Sequence, residues 1–329
     1  MDLQVEFYNG FCLIPVFWFW REVRIFPMRE PFSWRLRSRS LQLGARTVVM
    51  GIINVTPDSF SDGGRYHSPD LAVEHGLQLL DEGADILDIG GESTRPGTAL
   101  EGEAAAKSAV NADQELERIL PVIEALCKER PGALLSADTH KAEVARAAVH
   151  GGAEIVNDVS AFQWDAEMAV TCAELGCGVV LMHTRGRPRE WRNLEASPDI
   201  VAEVEHDLAN RVQTAFEAGV RREHIVLDPG FGFGKNFDDN YPLLARFAQF
   251  HRVGFPLLAG VSRKSFLGKT ITRRTGREVL PEERLNGSLA AMTVCILQGA
   301  HIVRVHDVKA SVEAAAVADA ILAASVAAC

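Results

Sequence analysis

Cysteine is scarce in this chain of 329 residues. There are six, none in a Cys-x-x-Cys pair and none beside histidine at zinc-ligand spacing. That excludes a disulfide-stapled scaffold and a zinc ribbon, and reads as reduced core thiols in a cytoplasmic protein. No apolar run approaches the roughly 20 residues that a membrane-spanning helix needs. Positive charge is in deficit, with Lys+Arg 34 against Asp+Glu 44 and a net charge of −10. A general nucleic-acid binder needs a basic face, so that class is set aside, although a local cationic pocket for a small anion is not. Two nucleotide and nucleophile signatures are missing as well. Residues 230–235 (Gly-Phe-Gly-Phe-Gly-Lys) have neither the phosphate-loop spacing nor the dinucleotide fingerprint. No G-x-S-x-G elbow accompanies a Ser-His-Asp set.

What is present is a long, ordinary core-forming composition: 47% apolar and 24% charged residues. Residues 1–34 stand apart, holding ten of the 24 aromatic residues and three of the five tryptophans. The apolar stretch 11–20 is too short for a span, contains Pro15, and is not preceded by the positive charge of a secretory signal. Three readings stay open for this segment: an amphipathic arm, a weak membrane-surface contact, or translated upstream sequence with an alternative start at Met28. Residues 1–44 are therefore treated as an N-terminal extension and 45–329 as the domain.

From Thr47 onward, short β-branched or apolar runs alternate with amphipathic stretches. The runs are 47–53, 85–89, 133–137, 154–156, 178–182, 224–227, 256–261 and 300–305. Ser68 and Ser197, each followed by Pro and Asp, read as helix caps before a Pro at the first helical position, and Pro281 followed by Glu282 and Glu283 reads as a further helix start. Strands alternating with helices imply parallel pairing. Eight such units predict an α/β fold, a (β/α)8 TIM barrel in a single domain. A doubly wound sheet would show fewer units and one glycine-rich phosphate turn.

Nearly every run ends in a polar residue. In order these are Asn54, Asp88 with Glu92, Asp138, Asn157 with Asp158, His183, Asp228, Ser262 with Lys264, and Arg304 with His306. One such residue is an ordinary turn former. Eight in a row converge on the C-terminal mouth, where barrel active sites are built. Asp138, Asn157 and Asp228 suit a flat polar heterocycle with several donors and acceptors. Lys264, Arg304 and His306 come from the last two strands, where barrels often bind phosphate. The mouth therefore divides into an acidic half for a ring and a basic half for an anion. Asn54 offers a neutral oxygen for a Mg2+ that bridges phosphate oxygens. Loops 56–64 and 90–97, rich in Gly, Pro, Ser and Asp, could cover the mouth as lids. His140 and His150 read as surface or packing residues of a helix, and His183 as equivocal. The turn 230–235 is expected to bring Phe233 near a ring.

Several stretches resemble the dihydropteroate synthases, the folate-pathway transferases that sulfonamides block. They are 50–64 (MGIINVTPDSFSDGG), 88–97 (DIGGESTRPG), 136–139 (SADT), 157–160 (NDVS), 228–233 (DPGFGF), 262–266 (SRKSF) and 304–307 (RVHD). The resemblance runs from about Phe32 past His306. It implies condensation of 6-hydroxymethyl-7,8-dihydropterin diphosphate with p-aminobenzoate to 7,8-dihydropteroate and diphosphate. By motif, Asp138, Asn157, Asp228 and Lys264 would hold the pterin, with Asp88 and Met182 nearby and Phe233 at the substrate rings. Asn54, Thr94, Arg304 and His306 would face the diphosphate, with Asn54 on Mg2+. Asp62 and Arg95 belong to the lids, and Ser262 would lie near the p-aminobenzoate carboxylate. The resemblance also implies a homodimer with small-molecule substrates, no nucleic acid and no stable membrane insertion. Tyr66-His67 and Thr184 depart from the usual family pattern. Two rivals share the pterin-binding barrel: a methyltetrahydrofolate methyltransferase, which needs no diphosphate site, and a non-catalytic pterin-binding paralogue, which should have decayed lids.

Overall fold

The computed structural model describes residues 29–56, 69–92 and 110–327. An antiparallel hairpin comes first, β1 (Phe32–Arg35) paired with β2 (Ser40–Leu43). Eight parallel strands follow: β3 (Val48–Asn54), β4 (Ile86–Gly90), β5 (Leu134–Asp138), β6 (Ile155–Asp158), β7 (Gly178–Met182), β8 (Ile225–Asp228), β9 (Leu258–Ala259) and β10 (Ile302–Val305). Their order is β8-β7-β6-β5-β4-β3-β10-β9. A parallel bridge between Leu227 and Leu257 joins the two ends of that order and closes the barrel.

The helices between the strands are α1 (Pro69–Asp81), α2 (Ala112–Glu129), α3 (Ala142–His150), α4 (Met168–Leu175), α5 (Ile200–Glu217), α6 (Asn240–Ala245), α7 (Ser265–Thr275), α8 (Leu285–Leu297) and α9 (Val308–Ala327). The eight expected units are the eight barrel strands. Two details differ from expectation. The run 256–261 pairs over only two residues, and its neighbour β8 is held to it by the single Leu227 bridge. Asp199, rather than Ser197, caps α5 by accepting from the Val201 and Ala202 amides.

Side-chain alternation sorts the strand residues into two cores. Val49, Ile53, Leu87, Ile89, Val179 and Val303 point outward and pack against the helices. Val48, Met50, Ile86, Ile155, Val180 and Ile302 point inward and fill the lower barrel. The hairpin completes that inner cluster from below with Trp34, Leu36 and Leu43. The Trp34 indole N–H, 1% exposed, donates to the His224 carbonyl at 2.8 Å. Glu154 accepts from the Ser38 amide at 2.8 Å, and Arg29 reaches Asp319 on α9 at 2.9 Å. Residues 32–43, which the sequence reading placed in the extension, are therefore the floor of the barrel. The signal was a strict alternation, Phe-Ser-Trp-Arg-Leu-Arg, typical of a half-buried strand. Among the described residues no helix is long and apolar enough to cross a membrane.

Candidate active site

The inward positions that are apolar at the bottom of the barrel become polar at the top. The same parity that buries Val48 and Met50 brings Asn54 to the mouth, and that which buries Ile86 leads to Asp88. Strand pairing then places Asn54 level with Gly90, Gly90 with Asp138, and Asp138 with Asn157. Gly90 leaves room in this rung, because a Cβ there would meet the Asp138 side chain at 3.3 Å. On the far wall Met182, buried at the end of β7, is level with Asp228 on β8.

One cation crosses this ring. Arg304 on β10 donates from Nε to Asp88 Oδ2 at 2.6 Å and from Nη2 to Asp138 Oδ2. Asp88 Oδ2 also accepts from Asn157 Nδ2 at 2.9 Å. The expected separation into an acidic and a basic half is thereby corrected: Arg304 sits within the acidic half. A buried carboxylate, Asp88, and a part-buried one, Asp138, on neighbouring strands need a counter-charge, and a guanidinium can serve both at once. Burial pushes the Asp138 carboxyl up to about 7, with Arg304 working against it. Burial opposes the Arg304 charge, but Asp88 and Asp138 raise its pKa above the ordinary guanidinium value. Burial also raises the Asp228 carboxyl, against the Gly230 amide, which donates to it at 2.8 Å. Asp88 Oδ1 and Ser136 Oγ are buried without a hydrogen-bond partner among the described residues. In an interior where polar atoms are nearly always satisfied, such atoms mark a place built to receive polar ligand atoms.

Residues 262–264 and 304–307 form the opposite rim. Ser262 Oγ accepts from the His306 amide at 3.2 Å and lies within hydrogen-bond distance of His306 Nδ1, at 3.0 Å. Arg263 takes a left-handed backbone, φ 55°, which costs a non-glycine residue about 1–3 kcal/mol. The conformation is locked by its fork onto Asp307, by its amide to Ser288 Oγ at 2.8 Å, and by its carbonyl to Arg284 Nη1 at 3.0 Å. Lys264 Nζ lies 4.1 Å from the centre of the Phe233 ring, whose edge Trp191 meets at 5.6 Å between ring centroids.

The structure thus brings together Asn54, Asp88, Asp138, Asn157, Met182, Asp228, Phe233, Ser262, Lys264, Arg304 and His306 at one mouth. Asp62, Thr94 and Arg95, with the lid segments that carry them, lie outside the described residues. Glu92, at the foot of the second lid, pairs with Lys141 at 2.6 Å, and the same lysine holds the buried Glu115. His140 is placed in the loop before α3, not on the helix, edge-on to Trp164 at 5.1 Å. Sequence reasoning missed Lys235, which is buried beneath the Phe233 turn. Its signal was present in 230–235, but the motif was weighed only as a phosphate loop. Among the described residues no three His, Cys, Asp or Glu side chains come together to cage a metal ion.

A barrel whose mouth gathers carboxylates and a carboxamide around Arg304, with Lys264 at the rim, suits a polar ring carrying an anionic group. The sequence pattern of the pterin binding enzymes matches residues 50–306. The dihydropteroate synthase of Escherichia coli K12 is 45% identical over 276 residues, covering 84% of this chain and 92% of that one. The dihydropteroate synthase of Xanthomonas albilineans, solved with 4-aminobenzoic acid, is 46% identical with a TM-score of 0.77, covering 88% and 99% of the two chains. The same enzyme in complex with 7,8-dihydropteroate is 44% identical with a TM-score of 0.73, covering 86% and 96%. The chain belongs to the dihydropteroate synthase family of transferases.

Proposed function

We propose that this chain condenses 6-hydroxymethyl-7,8-dihydropterin diphosphate with p-aminobenzoate, releasing 7,8-dihydropteroate and diphosphate. The observation that carries this reading is the linked set of Asp88, Asp138 and Asn157, the two carboxylates on Arg304 and the carboxamide on Asp88, with the partnerless Asp88 Oδ1 among them. Asp138, Asn157 and Asp228 would take the donors and acceptors of the pterin ring, Met182 would line its face, and Lys264 would reach its polar edge. Arg304, His306 and Thr94 would draw the diphosphate. The carbon–oxygen bond to the diphosphate breaks first, its electron pair leaving with the diphosphate oxygen. The arylamine nitrogen then forms the new carbon–nitrogen bond to the methylene cation and loses a proton. Arg304 and Lys264 would stabilise the departing anion, and lids bearing Asp62 and Arg95 would keep water from the cation. Ser262 would lie near the benzoate carboxylate.

Asn54 at the mouth end of β3 would offer its carboxamide oxygen to a magnesium ion, which commonly needs only one or two protein ligands. When bound, the ion would neutralise charge on the diphosphate. Val294 on α8 and Val317 and Ile321 on α9 expose apolar surface on neighbouring helices, which supports a homodimer. We place the enzyme in the cytoplasm, in keeping with the unpaired cysteines among the described residues. Sulfonamides, as arylamine mimics of p-aminobenzoate, are expected to compete at the Phe233–Ser262 side.

The test is mass-spectrometric detection of 7,8-dihydropteroate from the two substrates and Mg2+. Formation of the product supports the assignment; pterin binding without product favours the non-catalytic reading.

A further inference from the structure

Lys235 is a buried lysine with no part in the chemistry above, its pKa lowered by burial to about 7. It follows the turn 230–234, in which Gly230, Gly232 and Gly234 all take positive φ. The turn is pressed directly on the β7–α5 connection. A Cβ at Gly230 would fall 1.9 Å from the His183 carbonyl, and one at Gly234 would meet the Arg185 carbonyl at 2.6 Å. Three glycines in succession make such a turn loose on their own. Lys235 ties it down. Its ammonium donates to the Gly230 carbonyl at 2.8 Å and the Phe233 carbonyl at 3.1 Å, and lies 3.4 Å from the His183 carbonyl.

A fourth contact extends this pin. Lys235 Nζ is 2.9 Å from His183 Nδ1, and His183 Nε2 is 3.2 Å from Asp207 Oδ2 on α5. A carboxylate only accepts, so the imidazole proton lies on Nε2, directed at Asp207, and Nδ1 is left to accept from Lys235 Nζ. Burial and the Lys235 charge hold the His183 pKa down at about 4, consistent with that neutral tautomer. The chain Lys235–His183–Asp207 thus fastens the Phe233 backbone to the rigid β7–α5 side of the barrel. The Phe233 ring in turn stands against Lys264 Nζ and the Trp191 edge, at the rim above Asp228. The floor of carboxylates suits the polar heterocycle, which leaves this aromatic rim for the flat benzoate substrate.

We propose that Lys235, oriented by His183 and Asp207, is a positioning residue that holds Phe233 in place and thereby sets the affinity for the aromatic amine. The inference rests on the proposed reaction.

It is tested by steady-state kinetics on the full chain with both substrates varied. Lys235→Met is expected to raise the KM for p-aminobenzoate on the order of tenfold, with kcat and the KM for the pterin diphosphate changing only a few-fold. His183→Leu removes the acceptor opposite Lys235 and should raise the same KM. His183→Asn keeps an acceptor near the position of Nδ1 and should recover most of the affinity that His183→Leu loses. The histidine pair decides the question even if Lys235→Met fails to fold. Unchanged amine KM in both Lys235→Met and His183→Leu overturns the inference, as does a parallel rise for both substrates. Absence of dihydropteroate from the unaltered chain overturns the proposed reaction itself.

Discussion

Arg304 and Asp88 meet at 2.6 Å inside the barrel mouth, and the same guanidinium reaches Asp138 on the next strand. One side chain therefore neutralises two carboxylates, and in the proposed reaction it would meet the charge of the departing diphosphate. Replacing it removes both services. Arg304→Ala is expected to lower kcat/KM by about a thousandfold, the scale of losing a preorganised charge contact in a dry site. Arg304→Lys keeps the charge but not the fork, and should recover only part. Steady-state turnover of the two variants checks this.

Asp138 faces the ring side of the same cluster. Asp138→Ala should weaken pterin binding by about tenfold or more, the cost of leaving buried donors unmatched. Titration calorimetry with a pterin ligand measures it. An unchanged dissociation constant would remove Asp138 from the binding set.

Asn54 is the proposed protein ligand of Mg2+. Chelation should stop product formation, and added Mg2+ should restore it. Asn54→Ala should shift the Mg2+ concentration giving half-maximal rate upward by about tenfold, with little effect on binding of the pterin alone. An unshifted Mg2+ dependence would place the ion elsewhere.

His183 supplies a pH signature. Its folded pKa, about 4, lies below the ordinary 6.5 because burial and Lys235 disfavour the imidazolium. Between pH 6.5 and 4 the unfolded chain binds this proton and the folded chain does not, so acid favours unfolding. The contribution is fully present above pH 6.5 and is lost as pH falls toward 4, on the order of 3 kcal/mol. Asp158, raised to about 6 by burial, acts in the opposite sense over the same range. The difference between the unaltered chain and His183→Asn isolates the histidine. Denaturant midpoints at pH 7 and pH 4.5 should therefore fall further for the unaltered chain than for the variant.

Trp34 tests the floor of the barrel. Trp34→Ala empties a fully buried site and removes the bond to the His224 carbonyl, so it should cost about 3–5 kcal/mol of stability. The mouth is at the other end of the strands, so kcat of the folded fraction should stay near that of the parent. Chemical denaturation and an activity assay at low temperature separate the two effects.

The barrel and most of its mouth were legible because alternation and strand-end polarity are local properties. Asp88, Asp138, Asn157, Asp228 and Arg304 each terminate an apolar run, and parallel pairing leaves them one place to converge. Which of them would touch was not legible. The reach of Arg304 across two strands depends on barrel register and on the absent side chain of Gly90. Lys235 escaped notice because its partners are backbone carbonyls, which every residue has. The hairpin carried its own alternation, but its position under the barrel depends on the apolar hole left by Val48, Ile86 and Ile302.

The central claim is a condensation in which diphosphate leaves and an arylamine takes its place. The most direct measurement incubates the protein with the pterin diphosphate, p-aminobenzoate and Mg2+, and follows diphosphate and 7,8-dihydropteroate together. Equal amounts of the two, appearing at the same rate and only when both substrates are present, are predicted. Diphosphate released without dihydropteroate, or neither product despite pterin binding, would contradict the account.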